Sequence, residues 1–149
     1  MKIVVASDHG GFRFKEAIKK HLIDQGYEVL DVGTQSETSC HYPTFAIAAG
    51  EIVAKKEAEF GFLVCTTGIG ISIAANKVKG VRCAIGYHDE AVRLTRNDND
   101  ANMLSFGQGF MELEDVLRRV DLFLETKPEG GRHALRVNLV KDYEEKHYK

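Results

Sequence analysis

The 149-residue sequence is short of several things that would each point to a function. It has no basic excess. Its 20 Lys+Arg stand against 22 Asp+Glu, a formal net charge of -2 at pH 7, which leaves no electrostatic footprint for nucleic acid. No apolar run approaches the ~20 residues of a membrane span. Met1-Lys2-Ile3-Val4-Val5-Ala6 enters a strand-like run at once and shows no signal-peptide cleavage pattern, so a cytoplasmic location is expected. The three cysteines, Cys40, Cys65 and Cys83, are odd in number and lack metal-ligand spacing, which fits free thiols in a reducing compartment. His21, His41, His88 and His147 offer no HExxH-type spacing, and neither a metal site nor a cofactor is expected. Gly68-Ile69-Gly70 is followed by Ile73 where a dinucleotide fingerprint needs a third glycine, and no Gly-Lys-Ser/Thr follows, so both common nucleotide motifs are missing. No repeat, low-complexity stretch or linker divides the chain, and residues 1–149 read as one domain.

What is present is a regular alternation of short apolar runs and helical periods. Ile3–Ala6, Tyr27–Val32, Phe60–Val64, Val81–Tyr87 and Met103–Phe106 read as strands. Between them lie amphipathic patterns: Phe14, Ala17, Ile18, His21 and Leu22; Phe45, Ala48, Ala49, Ile52 and Val53; Ile71–Lys77; and Glu90–Arg96. A further helix carries Leu113, Val116, Leu117, Val120 and Leu124 and stops before Pro128. After the Gly130-Gly131 break, a last one spans about His133–Lys146. Strands alternating with helices predict βαβ units, a parallel sheet and a three-layer α/β/α sandwich, with the last helix extra to it.

Ligands of open α/β sheets bind beyond the carboxyl ends of the strands. The segment Val64-Cys65-Thr66-Thr67-Gly68-Ile69-Gly70 stands at such an end, with a thiol at the strand tip, a small-residue loop and then a helix N-terminus. Free N–H groups and a partial positive charge there favour a thiolate and an oxyanion. Read singly, Cys65 could equally be a small buried hydrophobe and the glycines an ordinary turn. Four loops are expected to share this rim: Asp8-His9, Cys65–Gly70, the Asn97-Asp98-Asn99-Asp100 run and the loop after Phe106. Asp8-His9 reads as a capped polar turn or as a hydroxyl and phosphate contact, and Asn97–Asp100 as a turn or a sugar-binding cluster. Arg132 and Arg136, four apart on one helix face, suit a phosphate or carboxylate, or are simply a solvated surface.

Taken in order, Ser7-Asp8-His9-Gly10-Gly11, Asp31-Val32-Gly33-Thr34, Tyr42-Pro43, Cys65–Lys77, Asn99-Asp100-Ala101-Asn102 and Gly130-Gly131-Arg132-His133 with Arg136 resemble one family. It is the family of type B ribose-5-phosphate isomerases, shared with the galactose-6-phosphate isomerase subunits. The resemblance covers nearly the whole chain, and the Cys65–Lys77 and Gly-Gly-Arg-His blocks are its most specific parts. It implies a Rossmann-like fold with a five-stranded parallel sheet, and homodimers or homotetramers with shared active sites. It also implies metal-free interconversion of an aldose and a ketose phosphate through an enediolate, as in the pentose phosphate pathway. On the matching positions, Cys65 is the base, and Thr67, Gly68 and Gly70 form the anion hole. Asp8, Tyr42 and Asn99 hold sugar hydroxyls, and His9, Arg132 and Arg136 bind the phosphate.

Three positions depart from the family pattern. Asp98 replaces a histidine that opens the furanose ring, which leaves Asp98 or His9 for that step. Gly109 replaces a phosphate-contacting arginine, and Thr66 a glycine. His41 before Tyr42-Pro43 resembles the galactose-6-phosphate branch. The leading expectation is ribose 5-phosphate to ribulose 5-phosphate. The rivals are a hexose 6-phosphate such as galactose or allose 6-phosphate, and a non-catalytic flavodoxin-like binding domain.

Overall fold

The alternation of apolar runs and helical periods folds as an alternation of strands and helices. The computed structural model describes residues 1–148. In chain order it contains β1 (Lys2–Ser7), a 3-10 turn at His9–Gly11, α1 (Phe12–Asp24), β2 (Glu28–Asp31), α2 (Tyr42–Ala54) and β3 (Phe60–Cys65). Then follow α3 (Ile69–Ala75), β4 (Cys83–Ile85), α4 (Asp89–Asn99), β5 (Met103–Gly107), α5 (Leu113–Glu125) and α6 (Arg132–His147). Every strand pair is parallel, in the order β2-β1-β3-β5-β4. The chain leaves β1 for β2 on one side and returns to β3 on the other. The strand order therefore reverses between β1 and β3, where open α/β sheets hold their ligands.

Successive strand residues point to opposite faces and build two cores. Ile3, Val5, Phe62, Val64, Leu104 and Phe106 pack with Phe14, Ile18 and Leu22 of α1, Val92 of α4 and Val116, Val120 and Phe123 of α5. Val4, Ala6, Leu63, Cys65 and Met103 pack with Ala46, Ala49 and Val53 of α2 and with Ile71, Ala74 and Ala75 of α3. With both faces covered, the inner strands are apolar throughout, which is why they read as continuous runs. The last helix, α6, lies outside these layers against α4.

Several boundaries differ from the sequence reading. Tyr42-Pro43 opens α2 rather than closing the preceding loop, because proline at the first helical turn loses no hydrogen bond. The expected strand over 81–87 shrinks to Cys83–Ile85. Its outer margin is occupied by Asn76, whose side chain receives the Cys83 N–H at 2.8 Å and donates to the Cys83 carbonyl at 2.9 Å. The helix expected over Glu90–Arg96 continues through Asn99 and ends at Asp100, which adopts a left-handed conformation (φ 47°).

Two buried cations lock the connections. Lys15 is fully buried, donating to Asp31 at 2.7 Å and to the Thr34 carbonyl at 2.8 Å, and so ties α1 to the loop after β2. The Arg96 guanidinium lies 4.7 Å from the Phe60 ring centre and 5.4 Å from that of Phe123. It donates to the Ala101 carbonyl (2.7 Å), Asp100 (3.0 Å) and the Thr126 carbonyl (3.2 Å). Arg96 thereby fastens the end of α4 to the start of β5 and to the chain leaving α5.

Candidate active site

Cys65 is the last residue of β3, on the α2/α3 side of the sheet, and its thiol is 5% exposed, near the rim rather than in the deep core. Its sulfur accepts the Gly68 N–H at 3.1 Å. An N–H held there binds a thiolate more strongly than a neutral thiol. Gly68 caps α3 with φ 81°, a left-handed conformation that favours glycine. Thr66 and Thr67 are exposed, and the Thr67 hydroxyl accepts the Ile69 N–H at 3.1 Å.

The other residues expected at this rim gather around the thiol loop. Asp8 is buried and its carboxylate accepts the Gly10 N–H at 3.0 Å. The Nδ1 of His9 accepts the Cys40 N–H at 3.1 Å, so Nε2 carries the proton and is a donor. Gly10 lies so near Thr66 that a Cβ on it would meet the Thr66 hydroxyl at 2.3 Å. Gly70 lies so near Tyr42 that a Cβ there would stand 3.0 Å from its ring. The loop after β5 closes the rim: Gln108 donates to the Cys65 carbonyl and Gly109 to the Thr66 carbonyl, each at 2.9 Å. A Cβ at Gly109 would come within 3.0 Å of the Thr66 methyl. The two departures at 66 and 109 are therefore complementary, bulk at one position matching its loss at the other.

Asp98, Asn99, Arg132 and Arg136 are not at this rim. The expectation that the Asn97–Asp100 run shares an edge with Cys65 is incorrect, because α4 runs antiparallel to the strands and its last turn precedes the start of β5. Cys65 pairs with Gly107, at the far end of β5 from Met103. At about 3.3 Å per residue that is roughly 13 Å of strand. Asp98, Asn99, His133 and Arg136 line a groove of about 680 Å³ with Asn76, Cys83, Val140 and Tyr143. Arg132, the first residue of α6, is exposed beside it. One chain thus presents two partial constellations at opposite ends of its sheet: a thiol with N–H donors and a carboxylate, and a groove with a guanidinium and an amide.

The sequence reading gave His133 no role of its own and did not reach Glu129. His133 places Nε2 3.6 Å from Asp98 and 3.8 Å from Glu129. Asn97 donates at 2.8 Å to each of the same two carboxylate oxygens. Those oxygens are already taken by N–H donors, so the cluster reads as an imidazole held by two carboxylates. Glu129 and His133 face each other across Gly130-Gly131, and Asp98 comes from another helix, which no single motif reveals. Cys83 also lines the groove, but its sulfur turns inward toward the Ala84 carbonyl at 3.7 Å. Burial pushes its thiol up to about 12, with a hydrogen bond to Ser105 pulling the other way, so it is inert at neutral pH. Among the described residues no helix is long and apolar enough to cross a membrane.

Comparison with known proteins finds similarity along nearly the whole chain. Residues 3–140 match the Ribose/Galactose Isomerase family model. Ribose-5-phosphate isomerase B of Escherichia coli is 41% identical over 145 residues, covering 97% of each chain. The structure of Clostridium thermocellum ribose-5-phosphate isomerase B superposes with a TM-score of 0.96 at 43% identity, covering 99% of each chain. That of ribose-5-phosphate isomerase B from Mycoplasma genitalium with bound ribulose-5-phosphate gives 0.93 at 36% identity, covering 97% of this chain and 96% of the other.

Proposed function

Since this chain belongs to the ribose/galactose isomerase family, we propose that it interconverts ribose 5-phosphate and ribulose 5-phosphate through an enediolate, in the pentose phosphate pathway of the cytoplasm. The carrying observation is the Cys65 sulfur at the strand-order reversal, with the Gly68 N–H upon it and Asp8 and Tyr42 at the same rim. As thiolate, Cys65 takes the proton from the carbon beside the carbonyl and returns it to the neighbouring carbon. The charge that develops on oxygen falls to N–H donors of the Thr67–Gly70 loop, and preorganised donors of this kind are worth a few kcal/mol. Asp8, Tyr42 and Asn99 hold hydroxyls, Asp98 stands beside the sugar ring, and His9, Arg132 and Arg136 bind the phosphate. The phosphate does not react; its binding orients the sugar over the thiol.

These roles need both ends of the sheet at one sugar, so the reading includes a homodimer, or a tetramer of such dimers, with shared sites. Two exposed apolar stripes support it: Ile69 and Ile73 on α3 beside the thiol loop, and Leu135, Leu139 and Tyr143 on α6 beside the groove. A two-fold pair that lays one stripe on the other buries both and brings Arg136 of each copy toward Cys65 of its mate. Turnover measured across pentose and hexose phosphates tests the substrate. A kcat/KM tenfold higher on galactose or allose 6-phosphate than on ribose 5-phosphate would replace the pentose with the hexose. No turnover on any of them would leave a binding domain.

A further inference from the structure

An aldopentose phosphate in water is almost entirely a closed ring, and no enediolate forms until the ring opens. Opening moves one proton. The anomeric hydroxyl gives up its hydrogen, C1=O forms, the C1–O4 bond breaks with its electron pair going to O4, and O4 takes a proton. A single group that accepts and then donates at neutral pH suffices, and imidazole is the side chain suited to it.

His9 is poorly placed for this, since its Nδ1 is occupied by the Cys40 N–H and its Nε2 is fixed as a donor. His133 differs. It lines the groove with Asn99 and Arg136, its side chain is 14% exposed, and Nε2 lies 3.6 Å from Asp98 and 3.8 Å from Glu129. The groove it lines also carries Arg82, Arg136 and Glu144, and Asp100 and Lys141 line the adjoining pocket that His133 shares. Asn97 donates to the facing oxygen of each carboxylate, at 2.8 Å, and so ties both to the end of α4.

We propose that His133 is the proton carrier that opens the sugar ring, with Asp98 as the residue that positions it and balances the transient imidazolium. Neutral His133, with Nε2–H toward the two carboxylates, takes the O1 proton at Nδ1, and the imidazolium returns one to O4, so the site ends as it began. This rests on the isomerase reading above, and it assigns to a histidine on α6 the chemistry that the aspartate at 98 leaves unfilled.

The test follows initial rates from ribose 5-phosphate as enzyme concentration rises, for the wild type, His133→Gln and Asp98→Asn. A chain unable to open rings can draw only on sugar that opens by itself. The His133→Gln rate is therefore expected to level off at the spontaneous opening rate, while the wild-type rate keeps rising in proportion to enzyme. In parallel, 4-deoxyribose 5-phosphate, which lacks the ring-closing hydroxyl, is followed by exchange of its C2 hydrogen in D2O. The ratio of turnover on ribose 5-phosphate to that on the open analogue is expected to fall at least about tenfold in His133→Gln, and in the same direction in Asp98→Asn. A His133→Gln rate that stays proportional to enzyme, with that ratio unchanged, overturns the assignment even if the protein is generally impaired. Wild-type protein inert on ribose 5-phosphate would instead overturn the isomerase reading, and this inference with it.

Discussion

The two ends of the sheet are built by different means. Around Cys65 the geometry is made by backbone: a left-handed glycine, an N–H on sulfur, and loops that touch because Gly10 and Gly70 carry no side chain. Around Asp98 it is made by side chains: Arg96 clamping three acceptors between two aromatic rings, and Asn97 bridging two carboxylates. The first end is fixed by backbone contacts between the loops that follow β1, β3 and β5. The second is assembled from α4, α6 and the segment between α5 and α6, so it depends on long-range contacts. On the proposed reading, proton transfer between the two carbons falls to the first end, and the second supplies phosphate contacts and the ring-opening group.

The sharpest way to separate the ends is to disable each in turn. Cys65→Ala is expected to lower kcat by about 10²–10⁴-fold, the usual worth of a general base, with an unchanged melting curve. A residual rate above a tenth of wild type would remove the thiol from the mechanism. If the ends belong to shared sites, unfolding Cys65→Ala and Arg136→Ala together and refolding the mixture raises activity at substrate well below KM above that of either variant alone, because a mixed pair contains one site free of both changes. Failure to recover any activity, with mixed pairs present, would break the two-end picture.

A smaller effect is expected on stability. Arg96→Leu strips the lower end of its clamp and is expected to cost about 3 kcal/mol in urea unfolding, as removal of one partner from a buried charged network does. A loss below 1 kcal/mol, about the size of an ordinary surface change, would show that the aromatic rings alone hold α4.

Smaller still, Arg132→Ala and Arg136→Ala should each raise KM by the equivalent of about 1.5–3 kcal/mol, the worth of a charged hydrogen bond, with kcat little changed. An unaltered KM for Arg132→Ala would leave Arg136 as the only phosphate contact on α6.

Least visible is the contrast between thiols. Iodoacetamide at pH 8 should label Cys65 and spare Cys83. Folding keeps the Cys83 thiol protonated past its ordinary value of about 8.5, up to about 12. Between those values the unfolded chain loses its proton first, so stability falls as pH rises. Labelling of Cys83 at pH 8 in the folded protein would show its sulfur to be free.

Which parts were legible in the sequence follows from the same contrast. The five strands, the helices between them and the Cys65 loop show in local periodicity and in small residues at a strand tip, since each is decided within a few neighbours. The placement of Asn97–Asp100 was misread because composition marks a polar run as a turn without saying which end of the sheet it meets. Helix direction settles that: between parallel β4 and β5 the helix runs back, so a run that ends α4 and precedes β5 lies at the amino ends of the strands. The partnership of His133 with Asp98 was invisible for a similar reason: the residues are 35 positions apart and meet only once α6 folds back on α4. The buried Lys15 and Arg96 look like surface charges in an amphipathic helix until the acceptors beneath them are in place.

Asn76 has a consequence for how this protein avoids trouble in a crowded cell. Its amide meets both the donor and the acceptor of Cys83, the groups an incoming strand would seek on the β4 margin. A strand approaching this edge finds the first pair of partners already engaged, a side-chain form of the protection that sheet edges need against pairing with another chain.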